Sequence, residues 1–241
     1  MTKTISMTAY NRPDYLDQTL QYLTKAIANT GNASAWSIFI SIDPSINTAA
    51  ILDVCSRYKV FYVVNKHRKD HRLNQHDAIQ LAFDYGSIFN VHFDDDLMIS
   101  EDALLLAEYY YSTYQHSPLT FGSYCLFNYN STPDSPPEKL LLGKSFTGLG
   151  WCVFKDNWES IFHPNWMNDD YSIKNFNHFG WDWQMSGYYK EKGISEIYPA
   201  LSRTNHAGRL HGTCCTTTFY DETFKDLVWN QNYLIKDYTL H

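Results

Sequence analysis

The fold is decided by a strand pattern that ends in three carboxylates, Ser87-Ile88-Phe89-Asn90-Val91-His92-Phe93-Asp94-Asp95-Asp96. Its apolar and aromatic residues are typical of a buried strand. Three adjacent carboxylates repel one another, and removing them from water is costly unless a positive group lies close by. The stretch therefore predicts a strand that brings a concentrated negative charge to the edge of a sheet.

Strand and helix patterns alternate through the first hundred residues. Strands are predicted at 4–9, 36–42, 60–64 and 87–93, with helices at 11–27, 48–58 and 74–85 between them. This order is typical of an α/β fold with a mostly parallel sheet and helices on both faces. Ligands of such sheets bind at the carboxyl ends of the strands. Arg12, Asp43 and the triplet Asp94–Asp96 all follow predicted strands and are expected to lie together.

The second half is less regular. It predicts helices at 101–114 and 156–162, another that follows the segment Trp181-Asp182-Trp183 and a helical tail at 221–233. Strands are predicted at 121–129 and after the glycine turn 148–150, with irregular chain at 130–138 and 164–179. No internal repeat or low-complexity tract interrupts the chain, which is treated as one domain, 1–241.

Composition excludes several classes of protein. The 241 residues carry 19 basic and 26 acidic side chains, a net charge of −7, which argues against nucleic-acid binding. No apolar run approaches the length of a membrane span, and the first residues lack a signal-peptide pattern. The five cysteines are an odd number without metal-ligand spacing, which favours reduced thiols in a cytoplasmic protein.

The triplet Asp94–Asp96 is the strongest candidate for chemistry. Carboxylates with open water positions suit Mn²⁺ or Mg²⁺ bridging to a diphosphate. The alternative is a solvated acidic turn that leads into a helix. The position at a strand's carboxyl end favours metal or substrate binding.

Three further residues are individually weak candidates. Asp43 is equally typical of a turn, and His76 of a helix surface or a satisfied core. Arg12 could pair with a phosphate or with Asp43. Their expected convergence at one edge of the sheet strengthens the case for all three.

Asp182 lies between two tryptophans, Trp181 and Trp183. Partial burial there would raise its pKa, as suits a general base that takes a proton from a hydroxyl. The alternative is a helix cap beside two core tryptophans. Aromatic residues make up 17% of the chain, and Trp151, Trp181 and Trp183 are interpreted as a platform for a sugar ring. Other aromatics, Phe39, Phe61, Tyr62 and Phe89, are assigned to the core.

An ordered set of motifs resembles the N-acetylglucosaminyltransferase I family (glycosyltransferase family 13). The similarity extends over about 95% of the chain and rests on Tyr10-Asn11-Arg12, Ser41-Ile42-Asp43, Asn74-Gln75-His76, Asp94-Asp95-Asp96-Leu97, Thr147-Gly148-Leu149-Gly150-Trp151, Trp181-Asp182-Trp183, Ser202-Arg203-Thr204, Gly208-Arg209 and His211-Gly212. The acidic triplet and Gly-Leu-Gly-Trp are the more specific members.

The resemblance implies a GT-A fold and an inverting, metal-dependent transfer of a sugar from a UDP-sugar to a hydroxyl of a glycan or glycoconjugate. Residues 1–100 would bind the nucleotide sugar and 101–241 the acceptor. Its implied donor-binding residues are Arg12, Asp43, His76, Asp94, Asp95, Leu149, Trp181, Arg209 and Thr213. Asp96 is the implied ligand of Mn²⁺ or Mg²⁺, and Asp182 the implied general base.

The chain departs from the family at several points. Trp-Asp-Trp replaces a pair of acidic residues after the first tryptophan, so Asp169 and Asp170 stand as alternative bases. Asp94 replaces a glutamate, which leaves the choice between GlcNAc and another hexose open. The family's membrane anchor and stem have no counterpart in this sequence. The chain is therefore expected to be a soluble bacterial or viral relative of the family and not a Golgi resident. Two other functions are weighed, a sugar-phosphate nucleotidylyltransferase and a non-catalytic carbohydrate-binding protein.

Overall fold

A computed structural model describes residues 2–167, 180–210 and 215–241. Nine strands form one twisted sheet, and two further strands form a small antiparallel pair. In chain order the strands are β1 (Thr2–Ala9), β2 (Trp36–Ile42), β3 (Phe61–Val64), β4 (Ser87–Phe93), β5 (Leu97–Ile99), β6 (Ser123–Cys125), β7 (Lys139–Gly143), β8 (Trp151–Phe154), β9 (Glu196–Pro199), β10 (Thr204–His206) and β11 (Thr239–Leu240).

Seven α-helices accompany the strands in the described ranges. They are α1 (Pro13–Asn29), α2 (Thr48–Tyr58), α3 (His71–Asp84), α4 (Ala103–Tyr114), α5 (Lys155–Asn157), α6 (Trp181–Lys192) and α7 (Thr217–Thr223). Short 3-10 turns lie at Ala33–Ala35, Pro118–Thr120 and His163–Asn165, and a π-helical turn at Trp158–Phe162. None of the helices in the part of the chain described here has both the length and the apolarity needed to span a bilayer.

The large sheet has the order β11-β7-β9-β6-β8-β4-β1-β2-β3. The strands β4, β1, β2 and β3 are mutually parallel, so their carboxyl ends share one edge. β8 runs antiparallel to β4, which brings the chain just before Trp151 to that same edge. Along the edge, the segments therefore follow in the order Asp43, Arg12, Asp94–Asp96 and Gly148–Gly150.

Helices cover both faces of the sheet. Alternate residues of β8 face opposite sides: Cys152 and Phe154 join the apolar cluster that includes α1, α2 and α4 residues. Trp151 and Val153 join a second cluster with residues of α3 and α6. The predicted α/β architecture, a mostly parallel sheet between helical layers, is confirmed.

Several local predictions were wrong for tertiary reasons. Phe61 and Tyr62 are 62% and 44% exposed because β3 is the edge strand of the sheet, so they are not core. The tail predicted as a helix at 221–233 is helical only to Thr223. Further along the tail, Asn230 is buried and donates a hydrogen bond to Asp102 Oδ1 at 2.7 Å. This bond holds the tail against the start of α4, in a conformation that is not helical.

Candidate functional site

A cleft of about 760 Å³ opens at the carboxyl edge of the parallel strands. This volume is in the range of small-molecule sites. Its lining includes Thr8–Arg12, Asp43, Arg68–Arg72, Asn74, Asp94–Asp96, Tyr129, Gly148, Leu149, Gly180–Gln184, His206, Cys215, Thr216, Phe219 and Phe224. Eight of the predicted site residues are therefore brought together: Arg12, Asp43, the three carboxylates of the triplet, Leu149 and the pair Trp181–Asp182.

The triplet meets a cation from the first strand–helix turn. Arg12, just before α1, forms an ion pair with Asp95 through Nη2 and another with Asp96 Oδ2 at 2.6 Å. Burial lowers the pKa of the Arg12 guanidinium, but the two carboxylates outweigh this effect and raise it above its ordinary value. Burial raises the pKa of Asp95 to about 7 against the opposing effect of Arg12. Arg12 pairs with the triplet and not with Asp43.

Asp94 belongs to a separate hydrogen-bond network. Gln75 Nε2 donates to Asp94 Oδ1 at 2.6 Å, and His71 Nε2 lies 3.8 Å from the same oxygen. Burial raises the pKa of Asp94, but the neighbouring His71 outweighs it and holds the pKa well below the ordinary value. Asp94 is therefore an ionised acceptor, and its partner His71 was not recognised from the sequence.

Asp43 is fixed by the loop that follows β3. Asn65 Nδ2 donates to its Oδ1 at 2.9 Å, and the Lys69 backbone N–H donates to its Oδ2 at 3.1 Å. The side chain is only 3% exposed yet lines the cleft. A buried carboxylate held in this way presents a directed acceptor to a ligand N–H or O–H.

Asp182 lies in the first turn of α6, at the opposite side of the cleft from Asp43. Burial raises the pKa of its carboxyl above the ordinary value, while backbone N–H groups and His71 oppose this shift. Gly148 packs closely here, since a Cβ at Gly148 would lie 3.2 Å from the Trp181 ring and 3.5 Å from Asp182 Cβ. The glycine turn thus allows α6 to bring this carboxylate into the cleft.

Asp96 has a second neighbour that the sequence analysis missed, His206 of β10. His206 Nε2 lies 3.6 Å from Asp96 Oδ2, while its Nδ1 accepts a hydrogen bond from the Gly208 N–H at 3.0 Å. A Cβ at Gly208 would clash with both side chains. In the described ranges, no group of three or more His, Cys, Asp or Glu side chains is arranged to hold a metal ion.

The donor set nevertheless fits one mode of metal binding. Mg²⁺ and Mn²⁺ are commonly held by one or two protein ligands, with substrate phosphates and water completing the shell. Asp96 and His206 could supply such a pair. His206 Nε2 would bind a cation with the ring proton on Nδ1, so Nδ1 would first have to give up the hydrogen bond from the Gly208 N–H. Gly208 has no Cβ, which allows the chain to lie this close to Asp96 Oδ2 and His206 Cε1. These two residues are the ones that could hold the cation.

Two predicted site residues lie away from the other cleft residues. His76 faces Trp158 and Trp166, and its ring nitrogens bond Asp77 and His163 at 3.0 Å each. The helical phase of α3 instead directs Asn74 toward the cleft. Arg209 is not among the lining residues and pairs with Asp221 at 2.7 Å on the surface. Thr213, Asp169 and Asp170 lie outside the described residues.

The tryptophan platform is only partly as predicted. Trp151 is completely buried and belongs to the core, and Trp181 is buried in a stack with Trp166 with ring centroids 4.3 Å apart. Trp183 is 37% exposed and lines the cleft. The outer aromatic surface is completed from other segments, by Tyr129, Phe219 and Phe224. We call Tyr129, Trp183, Phe219 and Phe224 the aromatic wall, and Arg12, Arg68, Lys69 and Arg72 the basic wall.

The sequence matches no protein-family model and no curated protein. The structure is similar to solved structures at low identity. TarS 1–349 from S. aureus has a TM-score of 0.57 at 12% identity, covering 87% of this chain and 61% of that one. The mannosyltransferase PcManGT from Pyrobaculum calidifontis, in complex with GDP-Man and Mn²⁺, has a TM-score of 0.53 at 12% identity, covering 82% and 54%. The fold is of the GT-A type.

The chain spans only part of these proteins. It covers 36% of the longer TarS structure, with a TM-score of 0.51. TarS 1–349 in complex with UDP gives a TM-score of 0.54 at 13% identity, covering 85% of this chain and 60% of that one. At these identities the likeness establishes the GT-A-type sheet and its flanking helices. The roles of the individual cleft residues remain predictions.

Proposed function

We propose that this protein is a glycosyltransferase that moves a sugar from a nucleotide-diphosphate donor to an acceptor hydroxyl. The observation that carries the proposal is the convergence of Arg12, Asp43, the acidic triplet and Asp182 in one cleft of a GT-A-type fold. TarS has been solved with UDP and PcManGT with GDP-Man and Mn²⁺, which supports a nucleotide sugar as the donor here. The chain acts as one domain, with the donor bound mainly by residues 1–100.

The donor site lies along the basic wall. Asp43 offers a buried acceptor for a base N–H, as uracil provides at N3, and Arg68 lies over the Tyr10 ring at 4.3 Å, where a base or ribose would fit beside them. Arg12, Arg68, Lys69 and Arg72 bring positive charge to this side of the cleft. Because Arg12 and Lys69 already pair with carboxylates, a bound divalent cation would supply part of the charge that offsets the diphosphate. We favour a UDP-sugar, with GlcNAc or a related hexose, as the resemblance to the N-acetylglucosaminyltransferase I family implies.

Asp96 and His206 would hold Mn²⁺ or Mg²⁺. A divalent cation there supplies charge neutralisation for the leaving diphosphate. Arg12 already bridges Asp95 and Asp96 and is placed to exchange part of that pairing for a phosphate oxygen. The carboxylate of Asp94, kept ionised by His71 and Gln75, is an acceptor for hydroxyls of the donor sugar.

Asp182 acts as the general base of a single displacement. Its carboxylate accepts the proton of the acceptor hydroxyl while that oxygen attacks the anomeric carbon from the face opposite the diphosphate. The C–O bond to the acceptor forms as the bond to the diphosphate breaks, so the anomeric configuration inverts. The raised pKa makes Asp182 a stronger base than an exposed aspartate.

A thermal-shift panel tests the proposal without knowledge of the acceptor. UDP-, GDP- and dTDP-sugars are each added with and without Mn²⁺, because a specific ligand stabilises the native state by mass action. We expect a UDP-sugar to raise the melting temperature in a Mn²⁺-dependent manner. Absence of any shift across the panel would remove the basis for a nucleotide-sugar enzyme. Release of pyrophosphate from a nucleoside triphosphate would indicate a nucleotidylyltransferase.

A further inference from the structure

The aromatic wall exposes large ring surfaces inside a cleft, not on the outer surface of the molecule. Tyr129 is 48% exposed, Phe219 38% and Trp183 37%, and all three line the same cleft. They come from three separate segments, the chain after β6, α6 and α7. Large apolar surfaces left open in a concave site mark a place where a ligand removes them from water.

Tyr129, Phe219 and Phe224 form a continuous surface that reaches His206, one of the two candidate metal ligands. Tyr129 packs edge-on against Phe127, with ring centroids 4.6 Å apart, and its ring centroid lies 6.2 Å from that of Phe224. Phe219 packs edge-on against Phe224 with ring centroids 5.8 Å apart, and Phe224 stacks on His206 with ring centroids 4.9 Å apart. The exposed rings of Tyr129 and Phe219 thus rest on the buried ring of Phe224, and this packing sets their positions relative to His206 and Asp96.

The same surface adjoins the proposed base. Trp183 follows Asp182 directly in α6. Burial raises the pKa of the Tyr129 hydroxyl, and the nearby negative charge of Asp182 raises it further. Asp182 is therefore bordered by an aromatic ring on the α6 side and another on the β6 side. A group that rests on these rings presents its hydroxyls to the carboxylate.

Charge separates this surface from the other side of the cleft. Among the described lining residues, every Arg and Lys lies between Arg12 and Arg72, and the lining from Tyr129 onward has Asp182 as its formal charge, together with the imidazole of His206. A phosphorylated or carboxylated acceptor would meet a like charge there without an Arg or Lys to offset it. A pyranose ring instead offers a face of C–H groups that packs on aromatic rings and hydroxyls that need no counter-charge.

We propose that the aromatic wall is the acceptor subsite and that it binds an uncharged sugar residue, packed against the exposed rings of the wall with one hydroxyl directed at Asp182. The inference rests on the proposed function and narrows its acceptor to a neutral glycan. It separates this acceptor class from anionic polyol phosphates and acidic sugars.

The test compares binding of simple probes by saturation-transfer NMR in the presence of UDP and Mg²⁺, which is diamagnetic and does not broaden the probe signals. The neutral probes are methyl β-D-glucoside, methyl β-D-galactoside and lactose, and the charged probes are methyl β-D-glucuronide and glucose 6-phosphate. Trp183→Ala and Phe219→Ala are the test variants. Tyr62→Ala is the matched control, because Tyr62 is an exposed aromatic outside the cleft lining.

We expect a neutral probe to bind, with its ring protons receiving saturation, and the charged probes to bind at least tenfold more weakly. Trp183→Ala and Phe219→Ala should weaken the neutral probe at least fivefold, and Tyr62→Ala should not. The UDP dissociation constant, measured by calorimetry on each variant, reports independently on the donor site. Tighter binding of a charged probe, or unchanged binding after both substitutions, would overturn the proposal while UDP binding left the proposed function standing.

Discussion

The two walls differ in chemistry although they line the same cleft, which has a volume of about 760 Å³. The basic wall is built on segments of the first 72 residues and carries Arg and Lys, whereas the aromatic wall comes from residues after 128 and carries exposed rings. The triplet Asp94–Asp96 lies between them, where the sheet order places the end of β4. The parallel half of the sheet thus presents charge, and the irregular half presents apolar surface.

Under the proposed function, the two substrates of the transfer reaction would be bound by different forces. A nucleotide diphosphate would be held by charge and directed hydrogen bonds, as at Arg12 and Asp43. A neutral sugar would be held by ring contact, which is weaker but insensitive to ionic strength. Asp182 lies at the boundary, close to His71 on one side and Tyr129 on the other. The following predictions test whether the walls act separately.

Substitution at the shared centre should have the largest effect. Asp96→Ala removes the main candidate metal ligand, so donor turnover should become undetectable and Mn²⁺ should no longer increase the thermal shift produced by the donor. Both losses are expected together because one carboxylate serves both. Thermal shift and a coupled UDP-release assay measure them. Metal-dependent donor binding that survives in Asp96→Ala would assign the metal to other residues.

Asp182→Asn should separate chemistry from donor binding. The amide cannot accept the proton, so kcat for donor hydrolysis should fall by about a thousandfold or more. The UDP dissociation constant should stay within about twofold, since Asp182 forms none of the described ion pairs with the basic wall. Kinetics and calorimetry on the same preparation decide the matter. Near wild-type turnover would direct the search for the base to Asp169 and Asp170.

The basic wall should respond to salt and the aromatic wall should not. Arg68→Ala should weaken UDP binding by about fivefold to tenfold and flatten its dependence on ionic strength. Arg57→Ala is the matched control, because Arg57 is an exposed arginine that pairs with Asp17 outside the cleft lining. Calorimetric titrations at low and high NaCl provide the measurement. Equal effects of the two substitutions would show that only net charge matters.

The pH profile should carry the signature of Asp182. A base must be ionised, and burial raises the pKa of this carboxyl, so activity should be lost on acidification at a higher pH than an exposed aspartate, about pH 4, would give. The nearby His71 lowers the pKa of Asp182, and His71→Gln should therefore move this acid limb to still higher pH. The profile of kcat is recorded at saturating donor and Mn²⁺. A limb at or below pH 4 in wild type contradicts the assignment.

The smallest effect on donor binding is expected from Glu196 of β9, which is buried beside β6 and is not among the described lining residues of the cleft. Burial raises the pKa of Glu196 to about 8, and its Oε1 accepts hydrogen bonds from Ser123 at 2.6 Å and the Thr147 N–H at 3.4 Å. The folded state therefore holds a proton that the unfolded chain releases above about pH 4.3. Stability should decrease by up to about 1.4 kcal/mol per pH unit between roughly pH 5 and 8.

Glu196→Gln should abolish this pH dependence and leave UDP binding unchanged. Urea unfolding at pH 5 and pH 8 measures the difference in the free energy of unfolding. A wild-type protein equally stable at both values would show that Glu196 is ionised in the folded state.

The predictable part of the site follows from topology. Arg12, Asp43 and the triplet each come after a strand whose pattern is local, and parallel strands bring such residues to one edge without further information. The side of a helix that faces the cleft was harder to predict from the sequence. In the polar run from His71 to His76 no apolar stripe marks the buried side, so His76 was chosen where α3 in fact directs His71 and Asn74 to the cleft.

The aromatic residues show a different limit. Composition could not distinguish Trp151, which is fully buried, from Trp183, which is open to the cleft. Trp151 is buried by residues of α3 and α6, which are remote from it in sequence. The exposure of Trp183 depends on where α6 lies in the fold. His206 was equally inaccessible, because it reaches Asp96 through the pairing of β10 with β5, and no turn links these two distant strands. Non-local pairing of this kind leaves no periodic signal in the chain.

The central claim is single-displacement transfer from a nucleotide sugar, and a proton NMR time course tests it most directly. The donor is an α-linked UDP-sugar selected from the thermal-shift panel, incubated with diamagnetic Mg²⁺ and followed before the released sugar mutarotates. The account predicts loss of the nucleotide sugar with the β-anomer appearing first, at a rate strongly reduced in Asp182→Asn. First appearance of the α-anomer, or no consumption of any donor in the panel, would contradict it.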